Sequence, residues 1–128
     1  MSGIQRRWHQ DGKPRPYTAT ATFGGIVWAC GQVPTRPDGS TPPLLRDQVD
    51  VVFDNLETVL ADAGADLSTI LKVTVFLADL DEFDEFNTAY LRRLKDVTLP
   101  PRTTVEVSRF RGEKRIEADV VAAVRETR

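Results

Sequence analysis

The segment PPRTTVEV, residues 100–107, and the glutamate fifteen residues after its arginine form the most informative pattern in this chain of 128 residues. Proline lacks a backbone N–H and favours an extended backbone, so the two prolines predict the end of a helix and the start of a strand at Arg102. Glu117 follows in a second strand-like segment, RIEADVVA, residues 115–122. The sequence therefore predicts a permanent cation and a carboxylate on two successive strands.

Alternating apolar and polar residues predict that each of these strands has one buried face. The apolar residues are Val105, Val107, Ile116, Ala118 and Val120. The polar residues predicted on the opposite face are Arg102, Thr104, Glu106, Glu117 and Asp119. A turn at Gly112 predicts a hairpin in which Glu117 lies opposite Glu106 and Arg102 lies roughly 13 Å further along. This separation leaves room for a small substrate between Arg102 and Glu117, or for completion of the site by another subunit.

The first half of the chain predicts a hairpin followed by a helix. Strand-like runs at 18–22 and 26–32 are separated by FGG, residues 23–25, which is typical of a hairpin. Apolar residues then recur every three or four positions over 45–63 and predict an amphipathic helix. Gly64 is well placed to end that helix.

The second half predicts another strand and another helix before the two strands already described. The run at 70–77 is rich in β-branched residues and predicts a central strand. A second amphipathic helix carries Phe83, Phe86, Tyr90, Leu91 and Leu94. The order ββαβαββ predicts one α+β domain over residues 1–128, a mixed sheet with two helices on one face. The other face is either solvated or closed against a partner subunit.

Composition excludes several classes of protein. A net charge of −2 and a pI near 5.4 argue against a nucleic-acid surface, which requires clustered Lys and Arg. The single cysteine, Cys30, allows no internal disulfide, and the single histidine, His9, cannot support a metal cluster alone. The acidic residues within 79–85 indicate interaction with a helix dipole, so we assign no metal. Without a long apolar segment, we expect a cytoplasmic protein that does not enter a membrane.

Five segments occur in an order and at spacings that are specific in combination. They are PY at 16–17, IVWACGQVP at 26–34, KVTVFLADL at 72–80, FNTAY at 86–90 and PPRTTVEV at 100–107. Over nearly the whole chain they resemble the Rid (YjgF/UK114) family of imine and enamine deaminases. The resemblance implies a chorismate-mutase-like fold, a homotrimer, and ligand pockets in the clefts between subunits.

Arg102 and Glu117 each have an ordinary and a functional interpretation. By itself, Arg102 is either an ion-pair partner or a planar fork that binds a carboxylate with two hydrogen bonds. Glu117 is either an exposed strand carboxylate or a group that polarises water, particularly if Glu106 or burial raises its pKa. The resemblance implies the functional roles, in which Arg102 clamps the substrate carboxylate and Glu117 activates the attacking water.

The resemblance also implies substrate contacts from five other positions. These are Tyr17, Cys30, Gly31, Asn87 and Thr104. By themselves, Tyr17 is a half-buried strand aromatic, Asn87 a helical amide and Cys30 a small buried apolar residue. Thr104 stands where the family commonly has cysteine, and Cys30 where it commonly has serine. Hydrolysis by activated water needs no thiol, so we expect activity with an altered substrate preference, and backbone contacts from Cys30 and Gly31.

Two functions of different classes follow. The first is cofactor-independent hydrolysis of 2-imino acids, formed from enamines such as 2-aminoacrylate, to 2-oxo acids and ammonia. The second is a non-catalytic trimer that binds a small carboxylate and has a regulatory role. Replacement of Glu117 separates them, because only the enzyme has turnover to lose. RNA cleavage, a third function associated with the family, is disfavoured by the acidic charge and by the lack of a histidine pair for acid–base catalysis.

Overall fold

A computed structural model describes residues 3–126. The strands and helices in chain order are β1 Gln5–Arg7, β2 Thr20–Phe23, β3 Ile26–Gln32, α1 Leu45–Asp62, β4 Ile70–Leu77, α2 Phe83–Arg93, β5 Arg102–Glu106 and β6 Ile116–Ala123. Short 3-10 helices, Leu67–Thr69 and Leu80–Glu82, precede β4 and α2. Neither α-helix of the described part has the length and apolarity needed to cross a bilayer.

The strands form one six-stranded sheet in the order β1-β2-β3-β6-β4-β5. Every neighbouring pair is antiparallel except β4 and β5, which are parallel and are connected through α2. Both helices pack on the same side of the sheet, so the predicted α+β fold with a mixed sheet and two helices on one face is confirmed. The short strand β1 was not predicted from the sequence.

The apolar stripe of α1 supplies most of the core between helices and sheet. Its members Val49, Val52, Phe53, Leu56 and Leu60 have no exposed surface. The helix ends at Asp62, and Gly64 follows with a φ of +82°. Because only glycine adopts this left-handed conformation without strain, Gly64 ends the helix as the sequence predicts.

The predicted hairpin between β2 and β3 is also confirmed. Gly24 and Gly25 both have positive φ, 59° and 79°, and Phe23 pairs with Ile26 across them. A two-residue turn with positive φ at both positions matches the right-handed twist of its strands, which explains why two glycines stand here. The strand before the turn begins at Thr20, two residues later than predicted.

The predicted hairpin between β5 and β6 is wrong. β5 is an edge strand parallel to β4, and β6 lies between β3 and β4. The alternation of residues fixes which side chains share a face of a strand but does not fix the neighbouring strand. Long connections, through α2 and through the loop at 107–115, allow β6 to pair with two other strands.

The new pairing also separates the polar residues that the sequence placed on one face. Arg102, Thr104 and Glu106 are paired with Val73, Val75 and Leu77, whose side chains are buried under the helices. Glu117 is paired with Phe76 and Asp119 with Thr74, on the face that carries no helix. Val105, predicted to be half-buried, lies on that second face and is 39% exposed.

We call the face without helices the open face. Its strand residues include Trp28, Lys72, Thr74, Phe76, Thr103, Val105, Glu117, Asp119 and Val121. Trp28 is 47% exposed there. An exposed tryptophan among other apolar side chains is typical of a surface that another protein covers.

Candidate active site in two halves

The first half of the site surrounds the guanidinium of Arg102. Its Nη1 donates a hydrogen bond of 2.8 Å to Oδ1 of Asn87 on α2. Its Cζ lies 5.5, 5.1 and 4.6 Å from the ring centroids of Phe83, Phe86 and Tyr90. Cation–π contacts of this kind hold a guanidinium in place without neutralising its charge. Within residues 3–126 no carboxylate forms an ion pair with Arg102.

The spacing of residues on α2 explains this arrangement. Phe83, Phe86, Asn87 and Tyr90 are three or four positions apart, so they lie on one side of the helix. That side faces β5, because β5 continues the sheet beyond β4 beneath the helix. The sequence interpretation treated the aromatic residues only as core and missed their contact with Arg102. Their helical spacing around Asn87 could have indicated this contact, because it puts the aromatic rings on the same side of the helix as Asn87.

Thr104 and Glu106 follow Arg102 on the same face of β5. The Oγ1 of Thr104 is buried and has no hydrogen-bond partner among residues 3–126. Such an atom is available to a polar group of a ligand. Glu106 instead accepts a hydrogen bond of 2.9 Å from the backbone N–H of Leu80. Glu106 therefore helps to hold the segment before α2, and the predicted pairing of Glu106 with Glu117 does not occur.

The second half of the site surrounds Glu117 on the open face. A β-bulge interrupts the pairing of β3 with β6 between Ala29 and Gln32, and Gly31 lies within it. A Cβ atom on Gly31 would overlap Oε2 of Glu117 and would lie 2.9 Å from its Cδ and 3.2 Å from its Cγ. A side chain at Gly31 would therefore displace the Glu117 carboxylate from this position.

Glu117 is in an environment that favours its protonated form. Desolvation by burial raises the pKa of Glu117, and the like charge of Asp119 raises it further, while Lys114 opposes both. Glu106, which the sequence predicted to lie opposite Glu117, does not contribute to the raised pKa. The carboxylate has no hydrogen-bond or ion-pair partner in the described part of the chain. A carboxyl with a raised pKa and free oxygens is suited to accept a proton from water.

Cys30 lies beside this half but has its own partners. Its backbone N–H donates to the carbonyl of Ala19 at 2.9 Å, and its carbonyl accepts from the amide of Gln32 at 3.3 Å. Its Sγ lies 3.9 Å from Nε2 of His9. Burial raises the pKa of the Cys30 thiol, which therefore stays protonated near neutral pH. The predicted backbone donor at Cys30 is thus already engaged within the chain.

Tyr17 and Gly31 lie in the wall of a cavity of about 260 Å³. The cavity lies between the segment 9–17, the loop after β3 and the side of α1. The ring of Tyr17 meets that of His9 edge-on, with centroids 6.3 Å apart. The Tyr17 side chain is half exposed, so its hydroxyl can reach a bound molecule.

Comparison with known proteins identifies the family of this chain. The family model described as endoribonuclease L-PSP matches residues 12–124. The chain belongs to this family, the YjgF/RutC/Rid family. A RutC family protein of Pyrococcus abyssi is 32% identical over 109 residues, covering 84% of this chain and 85% of the relative. TdcF of Escherichia coli, whose name provisionally describes a reactive intermediate deaminase, is 30% identical over 110 residues, covering 84% of this chain and 85% of TdcF.

Solved structures of Rid proteins have the same fold. The crystal structure of Escherichia coli TdcF with bound serine superposes with a TM-score of 0.86 at 27% identity, covering 93% of this chain and 98% of TdcF. The yjgF gene product of Escherichia coli superposes with a TM-score of 0.87 at 28% identity, covering 94% of this chain and 100% of the yjgF product. The resemblance inferred from the sequence segments is therefore confirmed.

The residues predicted for the site of this Rid protein fall into two groups. Arg102, Asn87 and Thr104 meet at the edge strand β5 under α2. Glu117, Gly31, Cys30 and Tyr17 gather around the bulge in β3. The strand β4 separates the two groups, so β5 and β6 are about 10 Å apart, and the key side chains are on opposite faces. One chain therefore cannot bring Arg102 and Glu117 to the same small ligand.

Proposed function

We propose that this protein hydrolyses 2-imino acids to 2-oxo acids and ammonia without a cofactor. 2-Enamino acids such as 2-aminoacrylate become substrates by tautomerising to imines. The family membership and the deaminase name of TdcF support this class of reaction. The serine in the TdcF crystal structure supports a small amino-acid-like ligand. A cytoplasmic location, where pyridoxal-phosphate enzymes release such imines, is part of the proposal.

The observation that carries the proposal is the state of Arg102. Its charge is balanced by no carboxylate within residues 3–126, yet Asn87 and the aromatic rings of α2 fix its position. A guanidinium held in this way is preorganised for the carboxylate that every 2-imino acid carries. Thr104 offers a free hydroxyl oxygen on the same side of β5.

Glu117 supplies the base. Its carboxylate takes a proton from water as the water oxygen attacks the imine carbon and the C=N electron pair moves to nitrogen, where it is protonated. The resulting carbinolamine then collapses to a carbonyl as its hydroxyl loses a proton and ammonia leaves. One water is consumed and one ammonia is released, so the reaction balances without an oxidant, a reductant or a metal.

The proposed assembly is a homotrimer in which Arg102 of one copy and Glu117 of its neighbour face the same cleft. Support comes from the separation of the two groups within a single chain. The partly exposed Trp28 and the other apolar residues of the open face provide a surface for such an association.

Imines generated in the assay by an amino-acid oxidase test the function directly. We expect wild-type protein to accelerate ammonia release above the spontaneous rate, and Arg102→Ala and Glu117→Gln each to abolish the acceleration. Glu117→Gln should still bind 2-oxo acids, since it keeps the size of the side chain and leaves Arg102 intact. The exposed Arg92→Ala variant is the matched control for loss of a guanidinium. Retained 2-oxo-acid binding without turnover in the wild type would instead identify a carboxylate-binding protein.

A further inference from the structure

The cavity beside the Glu117 half has a distinct distribution of charge. Its wall contains three cations, Lys13, Arg15 and Arg36, and one carboxylate, Asp11. Asp11 forms an ion pair with Arg15, in which both carboxylate oxygens accept hydrogen bonds, of 3.0 and 2.8 Å, from the guanidinium. Burial and the charge of Arg15 lower the pKa of His9, the other titratable group on this side, which is therefore neutral at pH 7.

Lys13 and Arg36 are the other two cations of the wall. The Asp38 carboxyl lies outside the wall, and its pKa is lowered by hydrogen bonds from Ser40 and, to a smaller extent, by the charge of Arg36. Lys13 donates to the carbonyl of Pro37 at 3.3 Å, and Arg36 donates to the hydroxyl of Ser40 at 3.2 Å. Neither forms an ion pair with a carboxylate in the described part of the chain. Both side chains are exposed, so they lie where the cavity opens to solvent. Two cations at a cavity opening create a potential that attracts anions.

Apolar and rigid surfaces complete the wall. Val33, Pro37 and Val59 supply apolar contacts. Asn55 on α1 donates hydrogen bonds of 3.0 Å to the carbonyls of Val33 and Thr35, which fixes the loop against the helix. The cavity therefore has both apolar and polar surfaces in its wall and a cationic opening, which suits a short aliphatic chain that ends in an anion.

The cavity and the Glu117 half of the site meet at Gly31, although Glu117 itself is not part of the cavity wall. Gly31 lies in the cavity wall, and the Glu117 carboxylate occupies the position that a Gly31 side chain would take. We infer that this cavity is a subsite for a second, anionic group on the substrate, so that the preferred substrates are 2-imino dicarboxylates derived from acidic amino acids. The inference depends on the proposed function, since it describes the far end of the same substrate.

Binding of two 2-oxo acids tests the subsite. 2-Oxoglutarate and 2-oxopentanoate share the head group and differ by the second carboxylate, and both are measured by titration calorimetry. We expect wild-type protein to bind 2-oxoglutarate about tenfold more tightly, with a preference that falls as salt is added. Lys13→Gln/Arg36→Gln should lose the preference and keep its affinity for 2-oxopentanoate. The exposed pair Arg46→Gln/Lys95→Gln changes the net charge equally and should keep the preference.

The inference is overturned if the wild type binds both acids equally, binds neither, or keeps its preference without Lys13 and Arg36. Loss of the preference in the control pair would overturn it too, because the effect would then come from net charge. Hydrolysis of the imine of alanine, which has no second carboxylate, is measured separately. Turnover without a dicarboxylate preference would refute the subsite alone, and a preference without turnover would refute only the deaminase.

Discussion

Mixed oligomers of two inactive variants test whether each reaction site is shared between chains. Arg102→Ala removes the clamp from its own chain and leaves Glu117, while Glu117→Gln removes the base and leaves Arg102. Where a Glu117→Gln chain supplies the clamp and an Arg102→Ala chain supplies the base, the cleft between them contains both intact groups. We therefore expect two inactive proteins to regain activity when they assemble together.

The magnitude follows from the placement of the two side chains. Arg102 faces α2 on the edge strand, and Glu117 faces the opposite side of the sheet across β4. In the proposed assembly, each site therefore takes one group from each of two chains. In a random trimer formed from equal amounts of the variants, each group is intact with a chance of one half, so about one quarter of the sites are complete. Any other ratio gives less, because the fraction is the product of the two proportions.

The assay denatures the two variants together, refolds them and measures ammonia release from an imine generated by an amino-acid oxidase. Each variant refolded alone, and the two mixed after separate refolding, are the controls. Light scattering verifies that all samples have the same oligomeric state. A jointly refolded sample no more active than these controls, with the wild type active after the same treatment, would refute the argument that the site is divided between chains.

Three further results are expected from single residues. Gly31→Ala should lower kcat about 100-fold with little change in oligomeric state, because the new Cβ displaces the Glu117 carboxylate. Asn87→Ala should raise KM about tenfold and change kcat less, because a hydrogen bond that positions the charged Arg102 is lost. The kcat/KM profile should fall as the pH decreases through the raised pKa of Glu117, and Asp119→Asn should move that limb to lower pH by removing the like charge. If kcat/KM of Asp119→Asn falls at the same pH as that of the wild type, the expectation for Asp119 is contradicted.

The elements of this fold could be predicted from the sequence because their signals are local. Gly24 and Gly25 define a two-residue turn, and the apolar stripe of α1 repeats with the period of a helix. Gly64 marks the end of α1 because glycine, unlike the other residue types, adopts the required positive φ without strain. Each of these features depends on residues within a few positions of one another.

The order of the strands could not be predicted in the same way. Both β5 and β6 have alternating apolar and polar residues, and the turn signal at Gly112 favoured a hairpin between them. The difference between them is in composition. The buried side of β6 consists of Ile116, Ala118, Val120 and Ala122, as expected for a strand with neighbours on both sides, whereas β5 carries mostly polar residues and is an edge strand.

The structure brings some of the predicted site residues into contact, but it does not arrange them as the sequence predicted. Arg102 and Asn87, which were both predicted to contact the substrate, form a hydrogen bond with each other. Gly31 lies next to Glu117. The neighbour that raises the pKa of Glu117 is Asp119 instead of Glu106, because the pairing of β5 differs from the prediction. A glycine within a strand is a signal of a bulge or of a close approach, and at Gly31 the structure has both.

The connection through α2 has a chemical consequence. Had β5 and β6 formed the predicted hairpin, Arg102 and Glu117 would have shared one face of a single chain, roughly 13 Å apart. The parallel pairing of β5 with β4 turns Arg102 toward α2, while β6 turns Glu117 toward the open face. A folded single chain thus keeps a free guanidinium and a free carboxylate at separate surfaces. If neighbouring copies bring these surfaces together, as we propose, then assembly and catalysis depend on the same contact, and disrupting the open face at Trp28 should abolish both.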